Sequence, residues 1–195
     1  FNDPVLNTVL RSSDVSLVST VIHELLHNTI FVGSHVSFNE SFANFVGDRG
    51  AIEFFCAREG EDSDRCLRAR AAWHDNLLFG EFLTGLVAEL ETLYHRPDLS
   101  SEEKIAQREP IFDAARKRFA EYVEPRLETM AFRGFSERQL DNATLIGIRL
   151  YYDRLNLFEA AFQRHGGDLP ATIAAITQSA ENDGDPFHAL ERLAS

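Results

Sequence analysis

Apolar residues recur at helical spacing along most of the chain, and no stretch alternates with the period of two that a half-buried strand needs. The first clear pattern runs from Val15 to Val32, with Asp14 as N-cap and Gly33 as stop. A second helix is expected from Glu40 to about Cys56, entered through Ser37, Phe38 and Asn39, with Asn39 as its N-cap. A third, from Ser63 to about Tyr94, carries Phe79, Phe82, Leu83, Leu86, Val87 and Leu90 as a core stripe. Ser100 and Glu103 form a capping box that opens a helix to about Thr129, kinked or broken at Pro110 and Pro125. After a loop, Ala143 to Phe162 reads as a helix broken near Asn156. Two short helices, about Pro170 to Ala180 and Pro186 to Leu193, complete a mainly α fold that forms one domain over residues 1–195.

The first helix has an unusual division of its surface. Val18, Val21, Ile22, Leu25, Leu26 and Ile30 fill more than half of its circumference, which predicts a buried helix. Ser16, Ser19, Thr20, His23, Glu24 and His27 form one narrow polar stripe, which must face something polar. His23 and His27 are one turn apart, so both imidazoles can reach one ion. Glu24 lies about 100° round the helix from His23 and about 60° from His27, beside the ion rather than on it. A base that takes a proton from water needs that place, and HExxH on a helix is the zinc-hydrolase pattern for this reason.

Zinc in a catalytic site takes a third protein ligand and leaves a fourth position open. Glu40 is the candidate, because an αα-hairpin would bring it to the loop end alongside His27. Ala43, Gly47 and Ala51 share its face, and such small side chains let two helices approach closely. Asn44, one turn beyond Glu40, is expected to accept a hydrogen bond from the outer nitrogen of a ligand histidine. His35 in the intervening loop reads as a surface histidine.

A peptide hydrolase also needs a donor to the tetrahedral oxyanion. Tyr151 and Tyr152 are adjacent on one helix, so at most one faces a given cleft. Tyr152 is favoured, because Leu150, Leu155 and Phe158 define a core face nearer Tyr151; the alternative is that both are packing residues. His74, His95, His165 and His188 are further alternatives, and Asn142 reads as a helix cap or a substrate contact.

Composition changes this picture little. A formal net charge of −12 argues against nucleic-acid binding, which needs a basic face. No apolar run is long enough to span a membrane. Cys56 and Cys66 flank an acidic loop without metal-site spacing; they form either a local disulfide or two free thiols. The chain opens on Phe1 rather than Met and reads as a piece of something longer.

The stretches VIHELLHNTIFV and FNESFANFVG, led by FNDPVLNT and followed by NATLIGIRLYYDRL, resemble the bacterial predicted-aminopeptidase family of zinc metalloproteins. They are similar to gluzincin peptidases more broadly. The resemblance implies zinc on His23, His27 and Glu40, Glu24 as general base, and a peptide substrate. It also implies the C-terminal part of a larger zincin-like α/β protein of the cell envelope, with any membrane attachment through an anchor outside this stretch. The gap from His27 to Glu40 is shorter than in thermolysin-like gluzincins, and Asn44 stands where those have Asp. No GAMEN-type motif for a substrate's amino terminus is present. The readings from other classes are a non-catalytic scaffold for zinc or partner binding, and a zinc hydrolase of a non-peptide substrate.

Overall fold

The computed structural model describes residues 13–195, and among these all regular structure is helical. The FNDPVLNT stretch lies outside the described residues. Helix α1 spans Asp14–His27 and α2 spans Val36–Glu59. The long α3 covers Asp64–Tyr94 and α4 covers Ser101–Arg118. After α4 the chain widens into a π turn, Phe119–Val123, and tightens into a 3-10 turn, Glu124–Arg126. A further 3-10 turn, Phe135–Glu137, precedes α5, Asn142–Tyr152. The chain ends with α6, Leu155–Arg164, α7, Leu169–Glu181, and α8, Pro186–Ala194. No helix of the described residues is long and apolar enough to cross a membrane.

Local signals explain most boundaries. Ser13, not Asp14, caps α1, accepting a bond from the Ser16 N–H. Ser63 caps α3, and the capping box at Ser100 and Glu103 is formed in both directions. Pro125 has no N–H to continue the ladder, and α4 loses α-geometry over the turn before it, whereas Pro110 is accommodated inside the helix.

Three further expectations change. Helix α1 ends at His27, not Val32: Asn28 and Thr29 turn their side chains back onto the carbonyls of Glu24 and Leu25 and close its last turn. Helix α2 starts at Val36, so Asn39 is not a cap. It is buried in the first turn, and its amide both accepts from the Val32 N–H (2.9 Å) and donates to the Val32 carbonyl (2.8 Å). The third change concerns burial. Helix α1 lies at the surface, with Val21 and Leu25 exposed on its outer side, while Val15 and Leu26 point into the core.

Two apolar cores share the interior. The first gathers α1, α2, the start of α3 and the C-terminal helices around Phe38, Phe42, Phe45, Trp73 and Phe158. The second lies between the rest of α3, α4 and α5 and is built on Phe79, Phe112, Phe119 and Phe135. The α3 stripe read from the sequence lines it: Phe79, Leu83, Leu86 and Leu90 are buried. Cys56 and Cys66 form a disulfide across the α2–α3 turn, with Cα atoms 4.8 Å apart.

Candidate metal centre

Helices α1 and α2 form a tight hairpin. A methyl group on Gly47 would sit 2.6 Å from the Ser19 carbonyl oxygen and 3.3 Å from the Cβ of His23. The small face of α2 therefore does what its sequence implies, and Ala43 and Ala51 are buried with it. A buried polar tie reinforces the approach. The Ser19 hydroxyl donates to Asp48 (2.7 Å), which also accepts from Asn76 on α3 (2.6 Å). Burial pushes the Asp48 carboxyl up, and these two bonds only partly offset it.

One turn along α1 from Ser19, the two imidazoles converge. His23 Nε2 and His27 Nε2 are 3.1 Å apart. Glu40 brings one carboxylate oxygen to 3.4 Å from His23 Nε2 and the other to 3.6 Å from His27 Nε2. A tetrahedral ion with bonds of 2.0–2.1 Å keeps its ligand atoms about 3.3 Å apart. The three separations bracket that value, so the donor set fits such an ion by both chemistry and geometry. Two histidines and one carboxylate, with the site open to solvent on one side, is also the composition of a site that retains a free position.

The electrostatics suit ligation. Burial, then the neighbouring His27, lowers the His23 pKa against the opposing pull of Glu40 and Glu24, which favours the neutral imidazole a metal ligand must be. Glu24 is exposed beside this pair, and its charge is felt by both His23 and Tyr151.

The two tyrosines exchange places relative to expectation. Tyr152 packs edge-on against Phe79 and Phe132, and burial, then Asp48, pushes its hydroxyl up to about 12. Tyr151 is the one at the site: its ring centroid is 6.3 Å from that of His23, with planes 29° from parallel. Burial, then the charges of Glu40 and Glu24, pushes its hydroxyl up, keeping it a donor at neutral pH. The core face of α5 runs from Leu145 through Ile148 to Tyr152, at i, i+3 and i+7, and Leu155 and Phe158 belong to the next helix, beyond the break at Arg154 (φ 51).

Asn44 does not touch a histidine ring. Its side-chain N–H donates to the Tyr151 carbonyl (2.8 Å). The other histidines serve elsewhere: His74 lies against Asp75, His95 and His165 bond carbonyls of their own helices, and His188 meets Asp183 and Arg192. Asp141, not Asn142, caps α5, and Asn142 accepts from the Tyr94 hydroxyl. Ser19, one turn before His23, and Ser41 and Asp48 on α2 support the site without a motif to announce them.

No curated protein and no solved structure matches this chain. The family model described as "Putative aminopeptidase" matches residues 1–185, from ahead of α1 to the start of α8. That span takes in the whole hairpin, Tyr151 and all of the second core, and the chain belongs to this aminopeptidase family.

Proposed function

We propose that the protein is a zinc-dependent peptide hydrolase, an aminopeptidase in keeping with its family. The convergence of His23, His27 and Glu40, with ligand atoms within 4.8 Å of one another and Glu24 on the same helix, carries this reading. Zinc held there would polarise the scissile carbonyl and make water nucleophilic near neutral pH. Glu24 takes the proton from the attacking water and passes it to the leaving amine. His23 and His27 stay neutral as ligands, and Glu40 supplies the balancing negative charge. Tyr151 donates its hydroxyl proton in a hydrogen bond to the developing oxyanion. The Cys56–Cys66 disulfide supports an oxidising compartment such as the cell envelope.

Metal analysis together with a peptide-hydrolysis assay tests the reading. The purified protein is expected to carry one zinc and to lose hydrolysis with a chelator. Glu24→Gln should keep the zinc and lose hydrolysis, whereas Glu40→Ala should lose zinc affinity. Full activity in Glu24→Gln, or unchanged zinc affinity in Glu40→Ala, overturns the mechanism.

A further inference from the structure

The last carbonyls of a helix have no partner within it, and they fray or find side chains elsewhere. Those of α5 are taken by one row of α2. Ser41 donates its hydroxyl to the Leu150 carbonyl (3.0 Å), and Asn44 donates to the Tyr151 carbonyl (2.8 Å). The same Ser41 oxygen accepts from the Asp153 N–H (3.0 Å), and Ser37, one turn earlier, donates to the Asp153 carboxylate (3.0 Å). Ser41 and Asp153 are buried. The left-handed Arg154 ends α5 just beyond, which leaves these carbonyls free to be captured.

Glu40 lies on the same helix, one turn before Asn44, and faces the histidines from beside this row. One rigid helix therefore sets both the carboxylate that faces the histidines and the backbone that carries Tyr151. Tyr151 itself is 40 % exposed. Its position over His23 depends on where its backbone is pinned.

We propose that Asn44 and Ser41 are positioning residues for Tyr151: by binding the terminal carbonyls of α5 they hold its ring against the His23 imidazole. The consequence for hydrolysis rests on the function proposed above, but the placement does not.

Two measurements separate these. The first is the NMR signal of the His23 ring protons in metal-free protein, which the Tyr151 ring current displaces. Asn44→Ala should move that signal toward its position in Tyr151→Ala, and Ser41→Ala should do so in part, with melting temperature and zinc affinity near wild type in Asn44→Ala. An unmoved His23 signal in both Asn44→Ala and Ser41→Ala overturns the proposal. The second is a double-mutant cycle in hydrolysis with Asn44→Ala and Tyr151→Phe. Asn44→Ala should lower kcat about 10- to 100-fold in the wild-type background, as an ångström-scale misplacement does, and almost not at all beside Tyr151→Phe. Equal losses in both backgrounds would show that Asn44 acts independently of Tyr151 and overturn the inference. A wild-type protein that hydrolyses no peptide would remove the proposed function, while the His23 signal would still decide the placement.

Discussion

Two neighbouring tyrosines divide the work of α5. Tyr151→Phe is expected to keep zinc binding and fold while lowering kcat about 100-fold, the scale of one lost oxyanion donor. Tyr152→Phe should leave zinc binding and kcat close to wild type, because its ring packs edge-on among Phe79 and Phe132. Steady-state kinetics on the pair checks this, and equal losses would remove the distinction. They sit about 100° apart on a helix, and the sequence reading misassigns them because Leu155 and Phe158, used to set the core face, lie beyond the end of α5, whereas Leu145 and Ile148 are in phase with Tyr152. That end is the left-handed Arg154, a conformation no local motif announces.

Asp75 is a second residue whose weight its sequence context hides. It is fully buried, and its two carboxylate oxygens accept from the N–H groups of Glu128 (2.9 Å) and Thr129 (2.8 Å) and from the Thr129 hydroxyl (2.6 Å). Burial alone would raise its pKa; these bonds, with His74, outweigh it and bring the pKa below the usual carboxylate value. The stabilisation is therefore present above the unfolded pKa of about 3.9 and is lost as pH falls through the lower folded value. Asp75→Asn must turn its NH₂ toward one backbone N–H whichever way the amide flips. A loss of about 2–3 kcal/mol at pH 7, shrinking in acid, is expected from denaturant titrations at several pH values. A pH-independent difference would argue against the ionised form.

At the scale of elements, the α1–α2 hairpin is where the sequence was most legible. The i, i+4 histidines and the small face of α2 follow from helical phase, Glu40 from the hairpin expected between the two helices, and the structure brings the three side chains together. The length of each helix was less legible. Tertiary contacts set the ends: Asn39 reaches back to Val32 and lets α2 begin early, inside a stretch that read as loop. Exposure on α1 was misread because Val21 and Leu25 are apolar yet face outward, and periodicity cannot say which apolar residues find a partner. The hairpin also has a sharp packing test. Gly47→Ala gains about 1 kcal/mol of helix propensity but drives a methyl into a backbone carbonyl that cannot step aside. A net loss of about 1–2 kcal/mol and weaker zinc binding are expected, since His23 moves with Ser19. Gly50→Ala meets the Ile22 side chain, Cδ1 at 2.8 Å and Cγ2 at 3.1 Å, but no backbone atom, so it should cost less than Gly47→Ala and leave zinc affinity intact. Paired melts and zinc competition titrations distinguish the two; equal effects would deny the close approach its role.

For the whole molecule, a ligand that binds only the folded hairpin stabilises everything coupled to it. Free zinc at about 100 times its dissociation constant should add about 2.7 kcal/mol, or roughly 5–10 °C in melting temperature for a chain of this size. Glu40→Ala should abolish most of that shift, and a zinc-dependent shift of full size in that variant would place the ion elsewhere. The helical class and the single-chain core were readable because apolar stripes sum over many residues. The division into two cores was not, since α3 runs through both without a break in its pattern.

Tyr152 touches both of those cores, and it is the residue next to the one over His23. His23, His27 and Glu40 all ride on helices of the first core, while α5 roots its Leu145 in the second. The seam between the two cores thus passes through α5, the helix that carries the phenol. If the second core opens first, in hydrogen exchange or under mild denaturant, and α5 leaves with it, the molecule passes through a form that still grips its ion but has let Tyr151 go. Zinc retention and turnover would then fail at different denaturant concentrations, turnover first.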